Sequence, residues 1–107
     1  MKATVLAVTL GLWAHQAGAH LKSGSELMEM LRNPNNAQAY AQGVGYVQGV
    51  ADGSNSILFC LPEGVTTRQV IDLVWRELAD AAAVRHLNAS MTVTAALSAA
   101  FPCQKVR

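Results

Sequence analysis

Apolar residues recur at helical spacing in four segments of the chain, and turn-forming residues separate these segments. In the first segment, Leu27, Met28 and Leu31 form an apolar face. They follow Ser23–Glu26, a spacing typical of a capping box at the start of a helix. The Asn-Pro-Asn-Asn sequence of residues 33–36 then predicts a turn.

The second predicted helix runs from about residue 37 to residue 51, and residues 52–56 after it predict a turn. Its apolar face comprises Tyr40, Val44, Val47 and Ala51. Three glycines, at positions 43, 45 and 49, lie inside it, and each costs up to about 1 kcal/mol relative to alanine in a helix. We therefore expect another backbone to approach this helix closely. No charged residue occurs between residues 33 and 51, which is unusual for an exposed helix.

The third predicted helix starts near Thr66, where Gln69 completes a second capping-box pattern. Its apolar face comprises Val70, Ile71, Val74 and Leu78, with Trp75 at the edge of the core. Its opposite face carries charged residues at a spacing of four: Asp72, Arg76 and Asp80. Such a row usually belongs to a solvated face, and it is also suited to contact a charged partner.

The fourth predicted helix begins near Asn88, a favourable N-cap, and ends before Pro102. Val93, Leu97 and Phe101 line one side of it. The other side carries small residues without charge: Thr92, Ala95, Ser98 and Ala99. Because an uncharged second face is often covered by another surface, we expect self-association through the uncharged helix faces. The sequence thus predicts a small all-α domain of about four helices that self-associates.

Residues 1–19 show the layout of a secretory signal peptide. A positive start precedes the uncharged apolar run Ala3–Trp13, and Ala17–Ala19 then forms an A-x-A cleavage pattern. The apolar run is shorter than the roughly 20 residues of a membrane span. A buried N-terminal helix is the competing interpretation. We predict cleavage before His20, which leaves a single exported domain of residues 20–107 with no membrane segment.

The predicted export decides how the two cysteines, Cys60 and Cys103, are interpreted. In an oxidising compartment two cysteines normally pair, and only one pairing is possible here. A domain of this size has a marginal core, so a disulfide has a structural role. A reactive thiol is the alternative, but neither cysteine has a basic neighbour in sequence.

Charge and motif content argue against several classes of function. Loss of residues 1–19 removes Lys2 alone, which leaves seven basic and seven acidic residues. No basic stripe indicates a nucleic-acid or anionic membrane partner. His20 and His86 are the only histidines of the mature chain, and the sequence lacks zinc-protease, phosphate-loop and serine-elbow motifs. We therefore expect no metal, no cofactor and no catalytic residues, although Glu63 and Asp52 could imitate an acid pair.

The connection between the third and fourth helices contains Arg85, His86 and Leu87. It is interpreted either as a solvated loop, with Leu87 packed on the first turn of the next helix, or as a recognition loop. Asn88 begins an Asn-Ala-Ser sequon for glycosylation. We prefer the interpretation that this asparagine serves as a helix cap.

Several segments together resemble a known family. They are, in chain order, Ser25–Leu27, Gly45–Asp52, Phe59–Thr66 with Gln69, Arg85–Leu87 with Ala89–Ser90, and Ala96–Leu97 with Phe101–Cys103. This set resembles the Tai/Rap type of periplasmic immunity protein from bacterial type VI secretion systems. The similarity spans nearly the whole mature chain, and the Phe-Cys-x-Pro-x-x-Val-Thr stretch with a terminal Phe-Pro-Cys is its most specific part.

The resemblance implies a small, usually dimeric all-α protein without chemistry of its own. It implies that the protein blocks the active site of a peptidoglycan amidase toxin delivered by neighbouring cells. From position, exposure and fold analogy, the expected contacts are Asp72, Arg76 and Asp80 on the third helix with Arg85 and His86 in the following connection.

Two departures from the family pattern stand out. Relatives often carry a second cysteine pair, and the matching positions here are Leu31 and Gly43. Residues 81–84 read Ala-Ala-Ala-Val, where relatives often have a His-Pro-Glu type of sequence.

Two other functions remain open at this stage. A small periplasmic acid-stress chaperone is also helical with a single disulfide, but it needs titratable triggers, and this chain has seven acidic residues and few histidines. A hydrolase is the third hypothesis, and the scarcity of catalytic residues argues against it.

Overall fold

The computed structural model describes residues 21–104. Within this range the chain forms four α-helices: α1 (Gly24–Arg32), α2 (Ala37–Ser54), α3 (Thr67–Asp80) and α4 (Ala89–Ala100). A short 3-10 helix, Ala82–Val84, lies between α3 and α4. Residues 21–104 contain two isolated β-bridges and no strand. The predicted all-α fold of four helices with one disulfide is confirmed.

Both predicted capping boxes form. The Ser23 hydroxyl accepts a hydrogen bond from the Glu26 amide at 3.1 Å, and the Glu26 carboxylate accepts one from the Ser23 amide at 2.9 Å. Thr66 and Gln69 make the same reciprocal pair at 3.1 and 2.8 Å. Asn88 occupies the N-cap position of α4, but its side chain makes no capping hydrogen bond. Residue type therefore located the starts of α1 and α3 correctly because local hydrogen bonds determine them.

α2 extends three residues further than the sequence indicated. Residues 52–54 were expected in a turn, and that expectation is wrong, since the helix continues to Ser54. The Asn55 amide still donates to the Ala51 carbonyl at 2.9 Å, so the helical hydrogen bonding outlasts the apolar face. The reversal is compressed into residues 55–59, where Ser56 adopts a φ of 71°.

All four helices contribute to one core, and each helix contacts the other three. The seven largest side chains with no exposed surface are Phe59, Leu27, Leu78, Leu97, Val47, Val74 and Val93. The predicted apolar faces of α1 and α3 are buried as expected. Trp75 is half-buried against the core, which confirms its position at the core edge. Phe59 enters the core from the segment between α2 and α3.

The glycines of α2 differ in their surroundings, and the expected close approach of another element occurs at Gly43. A β-carbon added at Gly43 would lie 3.0 Å from Leu31 Cδ2 and 3.1 Å from Met30 Cβ, so the close neighbours are side chains of α1. At Gly45 and Gly49 nothing lies within 4 Å. Gly43 thus permits the contact between α1 and α2, whereas Gly45, Gly49 and Gly53 face open space.

α4 is buried over a wider arc than its pattern indicated. Thr92 was expected on the uncharged outer side, but the structure buries it, as it does Ala89 and Ala96. The reason is that α4 contacts three helices, so residues beside the Val93 stripe are covered as well. Ala95 remains exposed on the outer side.

A disulfide joins Cys60 to Cys103 across a sequence separation of 43 residues, as predicted. The Cys60 amide also donates to the Phe101 carbonyl at 2.8 Å, so a backbone hydrogen bond supports the same contact. The disulfide therefore fastens the segment before α3 to the end of α4.

The predicted signal peptide, residues 1–19, lies outside the described residues. Among the helices of residues 21–104, none is both long and apolar enough to cross a membrane.

Candidate partner-binding surface

The charged row of α3 lies on its exposed outer face. Asp72, Arg76 and Asp80 are all exposed, and one helical rise per residue spreads them over about 12 Å. No ion pair joins Arg76 to either carboxylate within the described part of the chain, although their spacing of four favours one. The three charges therefore face water and are available to a partner of complementary charge.

A shallow cleft borders this row. Asp72 and Arg76 form its charged side, and its other lining residues are Gln69, Leu73 and Phe101. Phe101 is held at this place because its carbonyl accepts the Cys60 amide and its chain neighbourhood includes Cys103 of the disulfide. The disulfide thus helps to shape the cleft although neither sulfur lines it.

Arg85 and His86, the other two predicted contacts, differ in what their side chains do. Arg85 is half-buried, and its guanidinium turns back to α3: Nε donates to the Leu78 carbonyl at 2.7 Å and Nη2 to the Ala79 carbonyl at 3.0 Å. The cation thereby satisfies carbonyl groups of the last turn of α3, where the helix dipole favours a positive charge. His86 is exposed.

The N-terminal segment pairs with the same connection. The Gly24 amide donates to the Leu87 carbonyl at 2.9 Å, and the Ser25 amide donates to the Arg85 carbonyl at 2.9 Å. Two residues beyond Leu87, the Ala89 amide donates to the Lys22 carbonyl at 2.7 Å. The amides of the first turn of α1, which have no acceptor inside the helix, therefore donate to carbonyls of the connection.

A second exposed surface consists of aliphatic side chains around the outer side of α4. Val84 and Leu87 line a groove with Met91, and Met91 also lines a neighbouring groove with Leu58. These four side chains are between 37% and 57% exposed, and we call them the apolar face. Ile57, next to Leu58, is 74% exposed. Glu77 is the single ionisable residue that lines either groove.

The loop that presents Ile57 and Leu58 is held by backbone hydrogen bonds. Both of their amides donate to the Ser54 carbonyl at 3.0 Å, and the Ser98 hydroxyl donates to the Leu58 carbonyl at 3.1 Å. Their exposure is therefore a consequence of a well-bonded loop. Large exposed aliphatic groups in a defined geometry are typical of surfaces that bind another protein.

The described residues offer little for catalysis or metal binding. Between residues 21 and 104 no group of three or more His, Cys, Asp or Glu side chains is arranged to hold a metal ion. Both cysteines are in the disulfide, so neither provides a thiol nucleophile.

Residues 23–103 match the model of the Rap1a immunity proteins. The chain belongs to this family. No curated protein matches the chain. The match begins at the N-cap of α1 and ends at Cys103, so the pairing of the N-terminal segment and the disulfide both lie inside the family domain. A member of the Rap1a family is an immunity protein, which acts by binding a cognate secreted toxin. Immunity proteins in general are not enzymes.

The sequence indicated the charged row of this Rap1a protein but missed the apolar face and the engagement of Arg85. The sequence shows an apolar pair at residues 57–58, but an apolar pair fits a buried segment as well as an exposed binding surface. The partners of Arg85 are carbonyls of α3, and no residue-type pattern signals a bond between a side chain and backbone atoms in another element.

Proposed function

We propose that the protein is a periplasmic immunity protein that binds and occludes a peptidoglycan amidase toxin of a type VI secretion system. It protects the producing cell by blocking the toxin and carries out no reaction itself. The observation that carries the proposal is the match of residues 23–103 to the Rap1a immunity proteins. The disulfide agrees with an oxidising compartment, where the toxin's cell-wall substrate also lies.

The proposed side-chain contacts with the toxin are Asp72, Arg76 and Asp80 on α3 with His86 in the following connection. The Arg85 side chain, the fifth contact that the sequence predicted, turns back to α3 instead. The row of α3 supports this role because its charges make no ion pair within residues 21–104, and because Asp72 and Arg76 line a cleft together with the apolar side chains of Leu73 and Phe101. Such charges accelerate association with a partner of opposite pattern, and a charge reversal has a larger effect than a truncation. The row ends at Asp80, the last residue of α3, so it leads directly into the connection along the chain.

The test is binding to amidase toxins encoded beside the gene, measured with purified residues 20–107 in the oxidised state. We expect a stable complex, loss of amidase activity in the complex, and survival of cells that export the toxin together with this protein. Arg76→Glu should weaken binding at least tenfold, whereas Glu29→Lys, an exposed reversal on α1, serves as the matched control. Absence of binding and of protection for every neighbouring toxin would refute the proposal.

We also propose that two copies associate through the apolar face. In a twofold-symmetric interface each residue near the axis meets its own copy, so a charged row would oppose like charges. The apolar face avoids this repulsion because Glu77 is its single ionisable neighbour. Light scattering should give a dimer for the wild-type protein and a monomer for Met91→Lys, with Gln42→Lys on α2 as the control. A wild-type monomer at micromolar concentration would contradict this proposal.

Export by a cleavable signal peptide, residues 1–19, completes the proposed function. The order of positive start, apolar run and A-x-A pattern supports it. Mass spectrometry of the protein from a periplasmic extract should give a mature chain that begins at His20, within one residue. Recovery of the full-length chain in the cytoplasm, with both cysteines reduced, would argue against export.

A further inference from the structure

The connection between α3 and α4 is bonded from two independent directions. On one side, the Arg85 guanidinium holds the Leu78 and Ala79 carbonyls at 2.7 and 3.0 Å. On the other side, the Gly24 and Ser25 amides hold the connection's own carbonyls at 2.9 Å each. Arg85 takes part in both sets, since its side chain reaches α3 and its carbonyl accepts from α1.

The close packing at Gly24 shows how tightly α1 and the connection meet. A β-carbon at this glycine would lie 3.0 Å from the Arg85 carbonyl oxygen, 3.3 Å from the Arg85 Cα and 3.4 Å from Leu78 Cδ2. Two of these three neighbours are backbone atoms, which cannot move aside as the end of a side chain can. The α1 start, Arg85 and the end of α3 therefore form one fixed contact.

Most side chains of this connection remain exposed while its backbone is held. They include His86 and the two aliphatic residues on either side of the Arg85–His86 pair, Val84 and Leu87. An exposed connection without such bonds would have to be ordered by its partner, and that ordering would weaken the complex. Here the ordering already exists in the free protein.

We propose that Arg85 is a positioning residue of the toxin-binding surface, which fastens the connection to α3 and thereby presents His86 to the toxin in a preformed geometry. This inference rests on the proposed function. It separates the two predicted contacts of the connection by role. The His86 side chain meets the partner, and the Arg85 guanidinium acts through the protein's own backbone.

The alternative is that Arg85 contacts the toxin directly. Its half-burial and its two hydrogen bonds to α3 carbonyls argue against this, because Nε and Nη2 are already held against the end of the helix. The two roles differ in kinetics. Loss of a positioning residue lowers the fraction of molecules ready to bind, which reduces the association rate, whereas loss of a direct contact mainly raises the dissociation rate.

The first experiment measures amide hydrogen exchange of the free protein and needs no toxin. In Arg85→Gln we expect the Gly24, Ser25 and Ala89 amides to exchange at least about tenfold faster, because the connection opens locally. The Val74 amide in the core should keep its wild-type rate. Gly24→Ala should open the same amides from the other side, and Arg68→Gln, an exposed arginine on the first turn of α3, is the matched control. Unchanged exchange in Arg85→Gln would overturn the proposal.

The second experiment measures binding kinetics with the amidase toxin. For Arg85→Gln we expect an association rate about tenfold lower with a dissociation rate within a factor of two, as a competent fraction of about one tenth would give. Arg85→Lys should restore part of the loss, since an ammonium can still reach one carbonyl. His86→Ala should instead raise the dissociation rate.

A double-mutant cycle of Arg85→Gln with His86→Ala tests whether the first residue acts through the second. We expect the two losses to combine to less than their product, since a displaced His86 has less to lose. Independent losses, or a faster dissociation in Arg85→Gln with normal exchange, would overturn the positioning role. If the wild-type protein binds no toxin, the proposed function fails, and the binding role of the connection fails with it. The hydrogen-exchange experiment does not depend on the toxin, so it tests the fastening of the connection separately.

Discussion

The glycines of α2 allow a prediction with an internal control. Gly43→Ala, Gly45→Ala and Gly49→Ala each replace a glycine inside one helix, so each gains about 0.8–1 kcal/mol from helix propensity. None of the three has a positive φ, so alanine fits the backbone at each position. The variants therefore differ only in what the new methyl group meets.

At Gly43 the new methyl group would lie 3.0 Å from Leu31 Cδ2 and 3.1 Å from Met30 Cβ. The Leu31 side chain can rotate away, but the Met30 β-carbon is fixed to the α1 backbone, so α1 itself must shift. Overpacking of this kind costs about 1–3 kcal/mol, which exceeds the propensity gain. We expect Gly43→Ala to lose about 1 kcal/mol of unfolding free energy and the other two variants to gain about 0.8 kcal/mol each.

Thermal and urea denaturation of the oxidised protein would measure these differences. For a domain of this size, 1 kcal/mol corresponds to a Tm shift of about 4–8 °C. Gly43→Ala should therefore melt below the wild-type protein, and the two controls above it. A Gly43→Ala variant as stable as Gly45→Ala would refute the reasoning, since it would mean that α1 and α2 are not in close contact at this glycine.

Three further changes test the core and the cross-links. Joint replacement of Cys60 and Cys103 by serine should cost about 4 kcal/mol in the chain-entropy model, seen as a lower urea midpoint; a wild-type midpoint would contradict a structural role. Phe59→Ala should cost about 3–5 kcal/mol, because Phe59 has no exposed surface, and a loss below 1 kcal/mol would contradict its burial. Joint replacement of Leu31 and Gly43 by cysteine should form a second disulfide, because the two residues are in contact; mass spectrometry after mild oxidation would detect two unpaired thiols if it does not.

The parts of the fold that the sequence predicted correctly depend on nearby residues. The capping boxes at Ser23 and Thr66 involve groups three residues apart, and helical periodicity identified the buried face of α3. The prediction of an uncharged outer side of α4 was less accurate, because the burial of Thr92 depends on how many helices meet there. Periodicity reports that a helix has a buried side but not how wide that side is.

The candidate surface was predicted in part for a similar reason. Exposure of Asp72 and His86 follows from local pattern, and both are exposed in the structure. The bonds of Arg85 to α3 and of Gly24 to the connection depend on backbone atoms brought together by folding. Backbone acceptors have no residue type, so a sequence pattern could not reveal them.

The pairing of residues 22–25 with residues 85–89 also bears on the order of folding. A chain emerges from the ribosome or from an export channel with its N-terminal residues first. The hydrogen bond between Gly24 and Leu87 and the disulfide between Cys60 and Cys103 each join an earlier residue to a much later one. Neither can form until nearly all of the described chain has emerged. Contacts this distant in sequence slow folding, because loop closure must come before the contact is made. The chain therefore completes its native fold only after nearly all of residues 21–104 have emerged.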